Sequence, residues 1–472
     1  MQSIYKKSKL IVTVGPASDN YETLKSLVLA GATCVRANFS HGTHEEQSKK
    51  FELAKQVAKD LNVPVSLMLD TKGPEIRIGK MKDDGVEIPA NAVINLHTSS
   101  EDYESLVGNS TDISVQYDMS KDLKEGDLVL FDDGKLTSRV IYVEENFVQV
   151  KTENAHFLKT NKRINLPGVE FSLPFLSQKD IDDVLFGIKI GVNYVAASFV
   201  NTAQNIQELR KLLDENGGEN IQIIAKIESV LGVKNIYQII AACDGIMVAR
   251  GDLGLEIPYY DVPYVQKQII KKCRKVGKPV IVATQMLDSM ENNLSPTRAE
   301  VNDVYGAIYA QADSTMLSGE SASGKYPEKA TEVMKRIQLR AEEEFLAEAK
   351  TETRDVKTNP IDFKDLAKLS YVDDNLKLIV VKSQTNANVF ELSKQRPNAI
   401  ISHLVNPETI AKYSNWAGEF GISYGVWTNQ NAELYNQFAV SDEFVNLMRQ
   451  QFELTADDKV ALVDENGVIN LK

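Results

Sequence analysis

Six short apolar runs in this chain are each followed by residues whose side chains can do chemistry. The run 33–36 ends in Arg36, with Asn38, Ser40 and His41 just beyond it, and the run 64–70 ends in Asp70 and Thr71. Lys226 and Glu228 follow the next, then Arg250, Gly251 and Asp252, then Thr284, then Ser318 and Glu320. Any one of these has an ordinary structural explanation, but six at matching positions form a pattern. Glu228 and Asp252 are acceptor-only carboxylates beside cationic groups. They suit a divalent metal such as Mg2+ or Mn2+, with water and substrate oxygens completing an octahedral shell. Asp70 with the oxygens of Asn38, Ser40 and Thr71 carries one formal charge. It suits either a monovalent cation or a hydrogen-bonded turn network. Arg36, Lys226 and Arg250 supply positive charge of the kind that stabilises a phosphoryl-transfer transition state, where one well-placed cation is worth about 10³ to 10⁵ in rate. The turn Ala249, Arg250, Gly251, Asp252 leads toward a helix, and its backbone N–H groups suit a carboxylate.

These residues need a scaffold that brings six strand ends to one face. Residues 10–14, 33–36 and 64–70 read as strands, with helices at 21–30 and 45–60 between them. The βα rhythm breaks from about 75 to 165, where Val, Ile and Thr runs are punctuated by Asp-Asp-Gly and Glu-Gly-Asp turns, the pattern of a small all-β insertion. It resumes with helix 178–190 and strands at 192–197, 221–227, 245–248, 279–283 and 314–317. Helices at 205–215, 230–242, 259–276 and 298–311 alternate with them, and helix 327–349 follows. Eight βα units predict an α/β fold, a closed (β/α)8 TIM barrel with its active site at the C-terminal strand ends. Residues 351–362 read as a linker to a third, α/β region with strands at 376–381, 399–402 and 459–463.

At 472 residues the chain exceeds one hydrophobic core, so two or three domains are expected. The net charge of −13 speaks against a nucleic-acid partner, which clustered Lys and Arg would have to bind. Cys34, Cys243 and Cys273 have no metal or disulfide spacing. With no signal-peptide core and no apolar run long enough to span a bilayer, the expectation is a cytoplasmic protein without membrane contact. Gly319–Lys325 has the G-x-x-x-x-G-K spacing of a P-loop, but Tyr326 stands where Ser or Thr should bind magnesium. It reads as a glycine-rich turn into the helix that follows.

The strings IVTVGPAS (11–18), VRANFSHGTHE (35–45), LDTKGPEIR (69–77), INLPG (164–168), IIAKIES (223–229), IMVARGDLGLEIP (246–258), ATQMLDSM (283–290), PTRAEVNDV (296–304) and MLSGESASGKYP (316–327) resemble the pyruvate kinase family, in family order and spacing. The resemblance implies a barrel domain (1–73 and 167–350), an inserted all-β lid (74–166) and a C-terminal regulatory domain (351–472). It implies a homotetramer acting on phosphoenolpyruvate and ADP. By this similarity Glu228 and Asp252 bind magnesium, while Asn38, Ser40, Asp70 and Thr71 surround potassium. Arg36 contacts the phosphoryl group, and Lys226 stabilises it and the enolate. Ala249 to Asp252 and Thr284 hold the substrate carboxylate, and Thr284 and Ser318 relay a proton. Asn38, His41, Arg77 and Lys162 lie on the nucleotide side. Glu75 stands where the family's potassium-dependent members carry Glu.

The chain departs from the family pattern in places. Arg163 replaces a hinge glycine, Leu231 and Asn201 replace polar and basic residues, and the activator loop is reduced to Ser383, Gln384, Thr385 and Asn386. The glycine-rich loop before the last strand is cut to Asp464-Glu465-Asn466-Gly467. Fructose-bisphosphate activation is therefore not expected, although Thr385 and Lys382 retain groups able to hold one phosphate. Two other readings stand beside the kinase: a barrel aldolase or lyase forming a magnesium enolate, and a catalytically silent paralogue.

Overall fold

The computed structural model describes residues 6–170, 172–383, 387–406, 419–429 and 431–472. Eight parallel strands close into a barrel: β1 (Lys9–Thr13), β2 (Cys34–Asn38), β3 (Ser66–Asp70), β4 (Tyr194–Ala197), β5 (Gln222–Ile227), β6 (Gly245–Ala249), β7 (Val280–Ala283) and β8 (Ser314–Leu317). Closure is by pairing of β1 with both β8 and β2. The expected α/β barrel is thus the observed fold.

The period-two alternation of strands decides what each residue faces. Leu10, Val12, Val35, Leu67, Val195, Ile223 and Val248 turn outward into one buried cluster under the helices. Ile11, Cys34, Met68, Tyr194, Ala196, Ile224, Met247, Ile281 and Met316 form a second cluster, which fills the barrel. Continuing that inward alternation past the packed layers gives Arg36 after Cys34, Asp70 after Met68, and Lys226 and Glu228 after Ile224. The same rule that packs the barrel therefore raises the polar residues to its C-terminal mouth.

The helices begin where the sequence caps them. Thr43 with Glu46, Ser177 with Asp180, Thr202 with Asn205, and Thr297 with Glu300 each form a reciprocal capping box. Two expectations shift. The helix read over 230–242 is two, Val230–Lys234 and Ile236–Ala242, separated at Asn235, whose side chain donates to the Asn201 carbonyl. The helix expected from 259 starts at Val262, with Pro263 in its first turn.

Between β3 and β4 lies a seven-stranded sheet with its own core, including Ile78, Leu96, Phe131 and Val150. Its strands Ile76–Arg77 and Arg163–Asn165 pair at one edge, next to the connections to the barrel. This insertion also holds a helix, Ser100–Ser105, capped by Ser99, so it is not wholly β. A five-stranded sheet, from Leu376–Lys382 to Ile469–Leu471, forms the C-terminal part. It seals the barrel floor: Ile422 joins the interior cluster, the Gly425 N–H donates to the Lys7 carbonyl, and Lys9 Nζ reaches the Val426 carbonyl at 2.6 Å.

Candidate active site

A cleft of roughly 280 Å³ opens between the barrel mouth and the inserted sheet. Arg36, Asn38, Ser40, His41, Asp70, Thr71, Arg77, Lys162, Lys226, Glu228 and Asp252 all line it. Those are eleven of the residues singled out from sequence, contributed by β2, β3, β5, the turn after β6 and the inserted sheet.

Asp70 is the centre of the charge network. It is buried, with Arg36 Nε 2.6 Å from one carboxylate oxygen and Lys226 Nζ 2.9 Å from the other. Burial alone would raise its pKa, but Arg36 and Lys226 outweigh that and hold it below the ordinary value. Lys226 Nζ also lies 3.1 Å from Glu228 Oε1. Burial disfavours its charge, yet Asp70 and Glu228 reverse the effect and keep it a cation. Glu228 is raised by burial, against the pull of Lys226 and with the push of Asp252. A buried carboxylate whose charge is disfavoured in this way, with Asp252 beside it, is what a cation site presents. Among the described residues no group of three or more His, Cys, Asp or Glu could hold a metal. Glu228 and Asp252 thus fit a hard divalent ion only if water or substrate oxygens fill the other positions. The neutral oxygens fit a monovalent ion similarly. Among the described residues Asn38 Oδ1 accepts only from Ser40 N–H, and the Thr71 carbonyl from Ser198 Oγ, which leaves each a lone pair.

Other predicted residues lie outside this lining. Arg250 does not join the cationic cluster. Its guanidinium is committed to the Thr284 and Gln285 carbonyls, at 2.7 and 3.0 Å, and to Asp303. As placed, it pins the loop after β7. Thr284 is held at φ 66°, costly for a β-branched residue, and its Oγ1 accepts from the Gly251 N–H at 2.7 Å. That N–H of the Ala249–Asp252 turn is thereby engaged. Ser318 Oγ is buried without a hydrogen-bond partner among the described residues. Glu320 caps its own turn, accepting from the Ser318 and Leu287 N–H groups, and is structural. The G-x-x-x-x-G-K stretch packs against protein: a Cβ on Gly319 would run into the Glu291 carboxylate.

Of the residues expected to face the nucleotide, Arg77 grips Glu75 at 2.8 Å, and Lys162 pairs with Asp132 at 2.8 Å. Gln384, Thr385 and Asn386 lie outside the described residues. Lys382 sits over the Tyr435 ring and 3.9 Å from Glu465 of the shortened loop.

Ser198 was missed by the sequence reading. It donates to the Thr71 carbonyl and lies 2.7 Å from Lys226 Nζ, fixing the ammonium. The only signal was its place one residue beyond β4, in the same inward alternation as Asp70 and Lys226. Phe199, at φ 54°, turns its N–H onto Glu228 Oε2 at 2.7 Å.

Fold and cleft define the class: a TIM-barrel enzyme whose mouth, under an inserted sheet, carries a buried cationic cluster with paired carboxylates. Residues 5–331 match the family model described as pyruvate kinase, barrel domain. A pyruvate kinase of Clostridium acetobutylicum is 41% identical over 93% of this chain and 91% of its own length. One from Mycoplasma genitalium is 46% identical over 72% of each chain. A crystal structure of a pyruvate kinase from Cryptosporidium parvum superposes with a TM-score of 0.87 at 34% identity, over 100% of this chain and 97% of that one. The chain belongs to the pyruvate kinase family.

Proposed function

We propose that this enzyme transfers the phosphoryl group of phosphoenolpyruvate to ADP, giving pyruvate and ATP, and that the cleft at the barrel mouth is where it does so. The Asp70-anchored pair of Arg36 and Lys226 carries this reading, being two cations fixed in a buried site before substrate arrives. Preorganised charge of this kind acts on the transition state without reorganisation cost. Arg36 meets the transferring phosphoryl group. Lys226 faces the phosphoryl group and then the enolate oxygen. Glu228 and Asp252 hold Mg2+ or Mn2+, which when bound supplies further positive charge to the phosphoryl and enolate oxygens. Asn38, Ser40, Asp70 and Thr71 hold K+. Thr284 and the turn from Ala249 to Asp252 receive the substrate carboxylate, with Arg250 setting the loop that carries Thr284. The Thr284 hydroxyl and the unpartnered Ser318 hydroxyl are the groups suited to delivering a proton to the enolate carbon. Asn38, His41, Arg77 and Lys162 face ADP.

Residues 1–73 and 167–350 serve as the catalytic domain, 74–166 as its lid and 351–472 as a regulatory domain. The Lys382–Glu465 pair puts a carboxylate where a sugar phosphate would need cations, which argues against fructose-bisphosphate activation. Exposed Tyr259, Tyr260 and Tyr264, at the start of one barrel helix, suit a subunit contact in a homotetramer. Among the described residues no helix is long and apolar enough to cross a membrane, and cytoplasmic action on small anions fits this reading.

The test is formation of pyruvate and ATP with magnesium, with and without potassium. Turnover that collapses when K+ is omitted supports both the kinase reading and the monovalent site. Turnover indifferent to K+ removes that site, and none under either condition overturns the whole reading.

A further inference from the structure

Arg163 stands on the lid strand Arg163–Asn165, yet its guanidinium ends on the barrel. Nη2 makes a short ion pair with Asp252 Oδ1 and lies 3.4 Å from Asp133, while Nη1 is 3.8 Å from Glu75. One largely buried cation thus ties together a carboxylate of the barrel, one of the lid and one at their junction. The lid also meets the barrel helix Arg250–Glu256, on which Asp252 stands: the Cβ position of Gly134 lies 2.9 Å from Leu255, and in the connection back to the barrel the Gly168 N–H donates to Glu256. Arg163 Nε is buried and finds no acceptor among the described residues, so the guanidinium is anchored by charge rather than by a complete set of hydrogen bonds.

We propose that Arg163 is a built-in competitor of the divalent cation: its guanidinium latches the lid onto Asp252, and metal binding displaces it from that oxygen. This inference rests on the assignment of Asp252 as a metal ligand. The chemistry is a direct exchange. A carboxylate oxygen that accepts a charge-assisted bond from a guanidinium cannot offer the same lone pair to a metal, and two cations on one carboxylate repel. Release of Arg163 would also free the strand next to the lid's connection to the barrel, so metal occupancy and lid position become linked, each biasing the other equally.

The experiment is Mn2+ binding to the full-length enzyme without substrates, followed by the electron paramagnetic resonance signal of free Mn2+. Arg163→Met, which keeps the apolar stem and removes the charge, should tighten Mn2+ binding about tenfold. Arg163→Lys should stay near wild type. In an Asp252→Asn background the Arg163→Met change should lose its effect, because the shared oxygen is gone. Unchanged or weaker Mn2+ binding in Arg163→Met, with Asp252→Asn still weakening it, overturns the latch alone. Mn2+ binding indifferent to Asp252→Asn overturns the metal assignment and the latch with it. Should Arg163→Met fail to fold, Arg163→Gln carries the same expectation.

Discussion

Replacing Lys226 with Met separates the charge of this residue from its bulk. The side chain is 8% exposed, and its ammonium lies 2.7 Å from Ser198 Oγ, 2.9 Å from Asp70 and 3.1 Å from Glu228. Methionine fills nearly the same volume, so packing is kept and the cation is lost. If that cation neutralises the phosphoryl group and the enolate, kcat should fall by about 10³ to 10⁵, or ~4–7 kcal/mol of barrier. KM for phosphoenolpyruvate should move by only a few-fold, because the interaction is made mainly in the transition state. Stability should also fall. Removing one member of a buried ion pair costs about 3–5 kcal/mol, and the lower end is expected because Arg36 stays on Asp70. Coupled pyruvate formation gives the first quantity and denaturant unfolding the second. Ser198→Ala, which leaves the charge but removes its anchor, should cost only about three- to tenfold in kcat. A kcat for Lys226→Met within tenfold of wild type would refute the assigned role, whatever the stability.

Two further perturbations address other links. Arg250→Ala should lower kcat/KM by on the order of 10²-fold by letting the Thr284 loop shift, and Asp303→Asn should move it in the same direction by less. If Asp303→Asn leaves kinetics untouched while Arg250→Ala abolishes them, Arg250 acts by its charge and not through the loop. At the barrel floor, burial lowers the pKa of Lys6 to about 7, with Glu342 opposing and Lys335 reinforcing the shift. The unfolded state, with a pKa near 10.5, then binds more protons between about pH 7 and 10.5, so this group makes stability rise with pH through that window and penalises folding most below it. Lys6→Met should therefore be most favourable relative to wild type at pH 7 and lose that advantage by pH 10. A wild-type-minus-mutant difference in unfolding free energy that is flat across this range would contradict it.

Much of the scaffold could be read from local pattern. The helix Gln178–Ile190 and the strands Ser314–Leu317 and Lys459–Val463 start and stop where alternation and capping residues said they would. The errors fall where a neighbour intervened. Asn235 splits a helix because its side chain serves the Asn201 carbonyl. The last barrel helix runs on to Glu352, past the expected end at 349, with Phe345 and Leu346 buried beside Tyr424 in the C-terminal part. Among site residues, those in the inward alternation (Arg36, Asp70, Lys226, Glu228) were recognisable from residue type at strand ends. Ser198 shares their register, but a lone serine gives no chemical signal.

The order and spacing of apolar runs, capping boxes and strand-end polar residues determined the barrel, the place of the insertion and the set of groups that could meet at its mouth. These are local properties, set by backbone sterics and the period of each element. Only the tertiary structure decided which partners those groups take. Arg250 turns away to the loop carbonyls of Thr284 and Gln285, Lys226 is shared between Asp70 and Glu228, and Arg163 crosses from the inserted sheet to Asp252. Long charged side chains can reach several acceptors, and the choice among them follows from burial and from which carboxylate lies nearest once the chain has closed.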